Sequence, residues 1–122
     1  MSKALKVTFL VHAFVALGFG VPLLLAPGRF LVMLGWIHID SMLSRVMGAA
    51  LLALAWSSWR GWQAKEKTQV STLLELEAIF TVLGVVGLVR ELIIFPYPSI
   101  YWLLCAILAA FAVAWIIFLF KK

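Results

Sequence analysis

The run STLLELEAIFTVLGVVGLVREL, Ser71 to Leu92, places two carboxylates, Glu75 and Glu77, at the start of an apolar stretch and an Arg-Glu pair at its end. In a water-soluble helix such carboxylates are surface charge. Here 66% of the 122 residues are hydrophobic and 12% are charged, with a mean hydropathy of +1.14. Soluble domains hold roughly 45–50% apolar and about 25% charged residues, so the solvent around this run is lipid. A helix that crosses a bilayer needs about 20 mostly apolar residues, which the run supplies.

Three more segments of this kind stand in the chain, from about Lys6 to Ala26, Ser41 to Trp59 and Ser99 to Phe120. Together the four occupy nearly the whole length and leave no room for a separate soluble domain. The expected fold is therefore an all-α membrane protein, residues 1–122 forming one up-down-up-down bundle of four transmembrane helices. The first segment is too long for a secretory h-region and lacks an A-x-A site before a suitable cut. It reads as a retained helix and not a signal peptide.

The formal charge of +5 in a soluble protein would suggest nucleic acid. In this chain the cations fall at helix ends, where they set topology and meet anionic headgroups, so no nucleic-acid partner is expected. Lys3, Lys6, Arg60, Lys65, Lys67, Lys121 and Lys122 lie on one side, and Arg29, Arg45 and Arg90 on the other. The positive-inside rule puts both termini in the cytoplasm of a multi-pass cell-membrane protein. Trp59 and Trp62 at the inner boundary, with Trp36, Tyr97, Tyr101 and Trp102 at the outer one, read as aromatic belts. Cys105 is the only cysteine and lies in the last apolar run, which leaves no intramolecular disulfide, CxxC pair or cysteine zinc site.

The connection APGRFLVMLGWIHID is too long for a tight turn and too apolar for a solvated loop. Pro27 ends the first helix, and Phe30, Val32, Met33, Leu34, Trp36 and Ile37 predict a short interfacial or re-entrant segment packed on the bundle, chiefly through Phe30, Leu34 and Trp36. Asp40 or Ser41 can cap the helix that follows. RGWQAKEKTQV is an ordinary polar connection, and Pro96 and Pro98 in FPYP break the chain sharply before the last helix.

The run GFGVPLLLAPGRFLVMLGW, followed by a helix that opens SRVMGAALLALAW, resembles the DoxX-like four-helix membrane proteins, in which a Pro after the first helix, a Gly-containing segment and an Arg followed by small residues recur. The likeness covers the first half of the chain. It implies a compact four-helix bundle and, for some members, a link to sulfur or quinone metabolism. The single cysteine gives no support to a thiol-based role. Small multidrug transporters share the length and helix count, but they carry a membrane carboxylate in the first helix, where this chain has His12.

At 100° per residue, Glu77, Thr81, Gly84, Leu88 and Glu91 fall within about 40° either side of one line along the third segment. Glu75 lies nearly opposite, among Ile79, Val82, Val86 and Ile93. Glu75 therefore reads as an interfacial group that favours the helix N-terminus and reaches toward Lys65 or Lys67. Glu77 is deeper, on the small-residue face, where an ionisable group is costly unless paired or protonated. His12 reaches a similar depth from the same side, so His12, Glu77 and Thr81 are the candidate ligand- or proton-binding residues, with a proton shared between His12 and Glu77. A blander alternative keeps both as structural hydrogen-bonding groups.

On the outer side, Arg45, Glu91 and Arg90 form a candidate charged cluster, with Arg45 paired to Glu91 and Arg90 reaching for headgroups. Small residues spaced by four or three (Ala16 and Gly20, Ala49 and Ala53, Gly84 and Gly87, Ala106, Ala110 and Ala114) let helices approach closely, and any left outside favour a homodimer. No metal and no cofactor are expected. One His and one or two carboxylates make a poor metal site, and no phosphate loop, nucleophile elbow, HExxH motif or haem-ligating histidine pair is present. The favoured function is non-enzymatic binding of a lipid-like or amphipathic molecule, or of a membrane partner. The alternatives are a proton-coupled transporter using Glu77 and His12, and a membrane enzyme acting on a lipid-like or quinone substrate with the same residues as acid and base.

Overall fold

Capping side chains and prolines set the helix limits. Ser2 accepts a hydrogen bond from the Leu5 amide and starts α1, Lys3–Leu25. Asp40 accepts from the Leu43 amide at 2.9 Å and starts the third helix, α3, Ser41–Gln63. Between them Pro27, at a position that needs no amide donor, opens the short α2, Pro27–Met33. After a 3₁₀ turn at Lys67–Val70 come α4, Ser71–Ile94, and α5, Ser99–Phe120. This computed structural model describes residues 1–121, and among them every regular element is helical. α1, the continuous stretch Lys67–Ile94 and α5 are each long and apolar enough to cross a membrane. α3 is as long as α1, but Arg45, Arg60 and four serines, Ser41, Ser44, Ser57 and Ser58, make it the least apolar of the long helices.

The chain divides into two compact units, Met1–Lys65 and Glu66–Lys122. In the first, α1 and α3 pack as an antiparallel hairpin along their length. The aligned neighbours descend in register. Gly61 faces the Phe9 ring, Ser58 faces His12, Gly48 faces Gly20, and Arg45 meets Leu24. Glycine is required at two of these levels. A Cβ on Gly61 would lie 2.7 Å from the Phe9 ring, and one on Gly48 would lie 2.6 Å from the Leu24 amide nitrogen. Ala16 and Gly20 are buried in this seam, whereas Ala49 and Ala53 are exposed. Gly48, Leu54, Ala55, Ser58 and Gly61 are the buried residues of α3.

The apolar connection after α1 is helical and lies against its hairpin. Leu31 is its buried anchor, together with Pro27, and Phe30 meets Phe19 edge-on with ring centroids 6.0 Å apart. Val32 and Met33 are exposed, while Leu34 and Trp36 are half-buried. The segment closes through a Schellman turn, in which Gly35 at φ +76° donates to Val32 and Trp36 donates to Leu31 at 2.8 Å. Of the expected packing residues Phe30 meets Phe19 and Leu34 and Trp36 are half-buried, and the more deeply buried Leu31 lies one turn before Leu34 on the same helical face.

In the second unit α4 and α5 form another hairpin. Gly84 leaves room for Leu108, whose side chain would stand 2.7 Å from an added Cβ. The buried line of α5 is Tyr101, Cys105, Ala112 and Trp115, with Ala106 and Ala110 exposed. Of the expected alanine row, Ala106 and Ala110 are thus on the outside and Ala114 is half-buried. At the FPYP bend Phe95 meets Tyr97 edge-on, ring centroids 6.3 Å apart, and Tyr97 lies tilted against Tyr101 at 4.7 Å.

Candidate functional site

Two sets of buried polar groups stand out against the apolar helices, one in each hairpin. In the first, His12 and Ser58 are 5% and 0% exposed. Their Nδ1 and Oγ atoms share a hydrogen bond of 2.8 Å, its direction set by the imidazole tautomer. The register of the hairpin creates this pair, because the level of α3 opposite His12 falls on Ser58. A hydroxyl was not among the expected partners. The signal for it in the sequence is Ser57-Ser58, a polar step that follows the apolar run Ala49–Trp56.

In the second hairpin Glu77 and Thr81 are both 0% exposed, and Glu75 is exposed. Leu74, Glu77, Ala78 and Thr81 make one buried stripe at helical spacing, with Leu76, Ile79, Leu83 and Val86 exposed on the other faces. The Thr81 hydroxyl donates to the Glu77 backbone carbonyl at 2.7 Å and lies 3.2 Å from that of Ala78. Its proton is engaged by the helix backbone, a local pattern typical of threonine in apolar helices. What it can offer a ligand is its oxygen as acceptor. Glu77 stands seven residues before Gly84 and Trp115 seven residues after Leu108, so the antiparallel register brings the wholly buried carboxylate and the wholly buried indole to one level.

Each hairpin is also clasped by a cation on helix-end carbonyls. Arg45, which the sequence pairs with Glu91, donates through Nη1 to the Leu24 carbonyl at 2.6 Å. Lys67, read from the sequence as a neighbour for Glu75, donates through Nζ to the carbonyl of Leu119 at 3.4 Å and to that of Lys121. Leu24 and Leu119 both lie in the last turn of their helices, where carbonyls have no intrahelical donor and the helix dipole is negative. A cation there answers both deficits. Arg90 is exposed and Glu91 is half-buried. No group of three His, Cys, Asp or Glu side chains that could hold a metal ion occurs among the described residues.

An open groove of about 280 Å³ runs between α1 and α3. Ala13, Leu17, Leu52 and Ala55 line it together with the aromatic rings of Phe14, Trp56 and Trp59, and of these Ala13 and Ala55 are the buried ones. Phe14 and Trp56 are 62% and 65% exposed. Its lining is almost wholly apolar. Comparison with protein families, with curated proteins and with solved structures finds no match to this chain.

Proposed function

We propose that the chain is a four-span integral membrane protein of the DoxX-like kind, with both termini in the cytoplasm, that binds a lipid-like amphiphile without transforming it. α3 is the fourth span in this reading. Its 23 residues cover about 34 Å at 1.5 Å per residue, enough for a hydrocarbon core of about 30 Å. Its outward residues Met42, Leu43, Val46, Met47 and Trp56 are apolar. Arg45, near its start, has a carbonyl partner and a long stem to carry its charge toward the interface.

The observation that carries the binding reading is the aromatic-walled groove of the first hairpin. Isolation in mild detergent followed by native mass spectrometry tests it. An unmodified lipid-like molecule should stay bound through purification and be lost in Ala55→Phe, which fills the groove floor. A protein that carries no adduct and takes up none of a panel of lipids and quinones refutes the reading.

A second reading, proton-coupled transport, is favoured by one observation, the complete burial of Glu77 within a spanning stretch. An ionisable group at such a position is a functional candidate because its charged form costs several kcal/mol to desolvate. In this reading Glu77 and His12 carry the proton. Uptake by proteoliposomes that depends on a pH gradient, abolished by Glu77→Gln and kept by Glu75→Gln, would move the assignment from binding to transport.

A further inference from the structure

The groove between α1 and α3 is at the lower edge of ligand-pocket size, about 280 Å³ against roughly 300–1,000 Å³ for sites that enclose a drug-sized molecule. It takes part of an amphiphile and leaves the polar part outside. The direction in which that polar part lies follows from the two helices. On α1 the line of Leu17 and Ala13 continues one turn at a time through Leu10 to Lys6 and Lys3, toward the helix start. On α3 the line of Leu52, Ala55 and Trp59 runs the opposite way along the sequence and reaches Arg60 next to Trp59. Because the helices are antiparallel, Lys3, Lys6 and Arg60 share one end of the hairpin. Lys6 stands seven residues from Ala13, about 10 Å along the axis, within the span between an acyl chain and its headgroup. The one acidic residue of this hairpin, Asp40, lies at the far end, where it caps α3. Trp59 and Trp62, with rings 4.9 Å apart, mark the same end as interfacial.

We propose that this groove seats one acyl chain of an anionic phospholipid, with the headgroup phosphate over Lys3, Lys6 and Arg60. The inference rests on the lipid-like ligand reading above and adds to it the charge and orientation of the ligand. Three cations at the mouth of an apolar slot, with Glu66 after Lys65 the one carboxylate near this end in sequence, select a negative headgroup over a zwitterionic one. Aromatic walls grip the chain, and their indole edges remain at the interface.

The experiment compares phosphatidylglycerol with phosphatidylcholine of the same acyl chains, added to delipidated full-length protein in detergent. Retention is read by native mass spectrometry and stabilisation by thermal unfolding. Phosphatidylglycerol should be retained several-fold better and raise the unfolding temperature more, and Lys6→Gln with Arg60→Gln should reduce it to the phosphatidylcholine level. A phosphatidylglycerol carrying a diazirine on its acyl chain, used on the wild-type protein, should crosslink to peptides containing Phe14 or Trp56. Equal retention of the two lipids overturns the headgroup assignment and leaves the broader ligand reading standing. A preference that survives both substitutions, crosslinks confined to other helices, or a dimer that protects Phe14 and Trp56 and excludes the probe overturns the site.

Discussion

Replacing Gly48 by alanine should open the first hairpin, and the structure gives the size of the effect. The new Cβ would stand 2.6 Å from the Leu24 nitrogen, 2.9 Å from the Gly20 carbonyl oxygen and 3.0 Å from the Leu23 carbonyl carbon. All three are backbone atoms of α1, so no side chain can swing aside. Relief to ordinary contact at 3.4 Å requires the helices to part locally by about 0.8 Å, from 3.4 minus 2.6. A gap of that size forfeits roughly a quarter to a half of each facing dispersion contact, and overpacking of a close seam costs about 1–3 kcal/mol. Against this, alanine in place of glycine inside a helix gains up to about 1 kcal/mol. Because the clash is with backbone, the cost falls toward the upper end, and the net loss should be about 1–2 kcal/mol. Gly18 is the internal control. It lies in the same hairpin with nothing within 4 Å of its would-be Cβ, so Gly18→Ala keeps the helix gain without the clash. The helix gain is common to both variants and cancels, so they should differ by the overpacking cost alone, about 2–3 kcal/mol. Equilibrium unfolding in mixed micelles, followed by tryptophan fluorescence, measures the difference. Equal stability of the two variants would show that the α1–α3 contact at Gly48 is not the close approach described above.

Ser58→Ala removes the hydroxyl on His12 Nδ1 and should cost about 1–3 kcal/mol, with a coupling to His12→Phe of about 0.5–1.5 kcal/mol in a double-mutant cycle of unfolding free energies. Arg45→Met takes the cation off the Leu24 carbonyl and should cost about 0.3–1 kcal/mol, while Arg45→Lys recovers part of it; loss of the same size in both variants would point to a requirement for the guanidinium shape and not the charge. Gly35→Ala forces a left-handed residue with a Cβ into the Schellman turn, at roughly 1–2 kcal/mol. Its readout is local, faster amide exchange over residues 27–37 with the long helices unchanged.

Much of the secondary structure was legible without coordinates. α5 spans the predicted Ser99–Phe120, and α3 and α4 begin at the predicted Ser41 and Ser71. Apolar length, the Asp40 cap and the prolines at 27, 96 and 98 are local signals, and local signals set helix limits. The division between Glu75 and Glu77 was legible too, since a single polar residue in an apolar helix reports its face through the helical phase alone. Those same signals do not say what a buried group meets. Ser58 opposite His12, Leu24 opposite Arg45 and Leu119 beside Lys67 are products of hairpin register, which joins residues dozens of positions apart.

The least legible feature was which apolar face turns inward. In water a helix advertises its core side by contrast, but α1, α4 and α5 carry apolar residues on all faces with few polar ones between them, and a lipid tail is as apolar as a leucine. Helix contacts are then chosen by shape. Gly48 and not Ala49 enters the α1 seam, and Cys105 and Ala112 rather than Ala106 and Ala110 turn inward on α5. Composition alone therefore determined that the chain forms long apolar helices, and helical phase determined where Glu77 points. Tertiary packing decided the pairs, the clasps and the groove, because backbone approach and register depend on the whole length of two facing helices and on no single stretch of either.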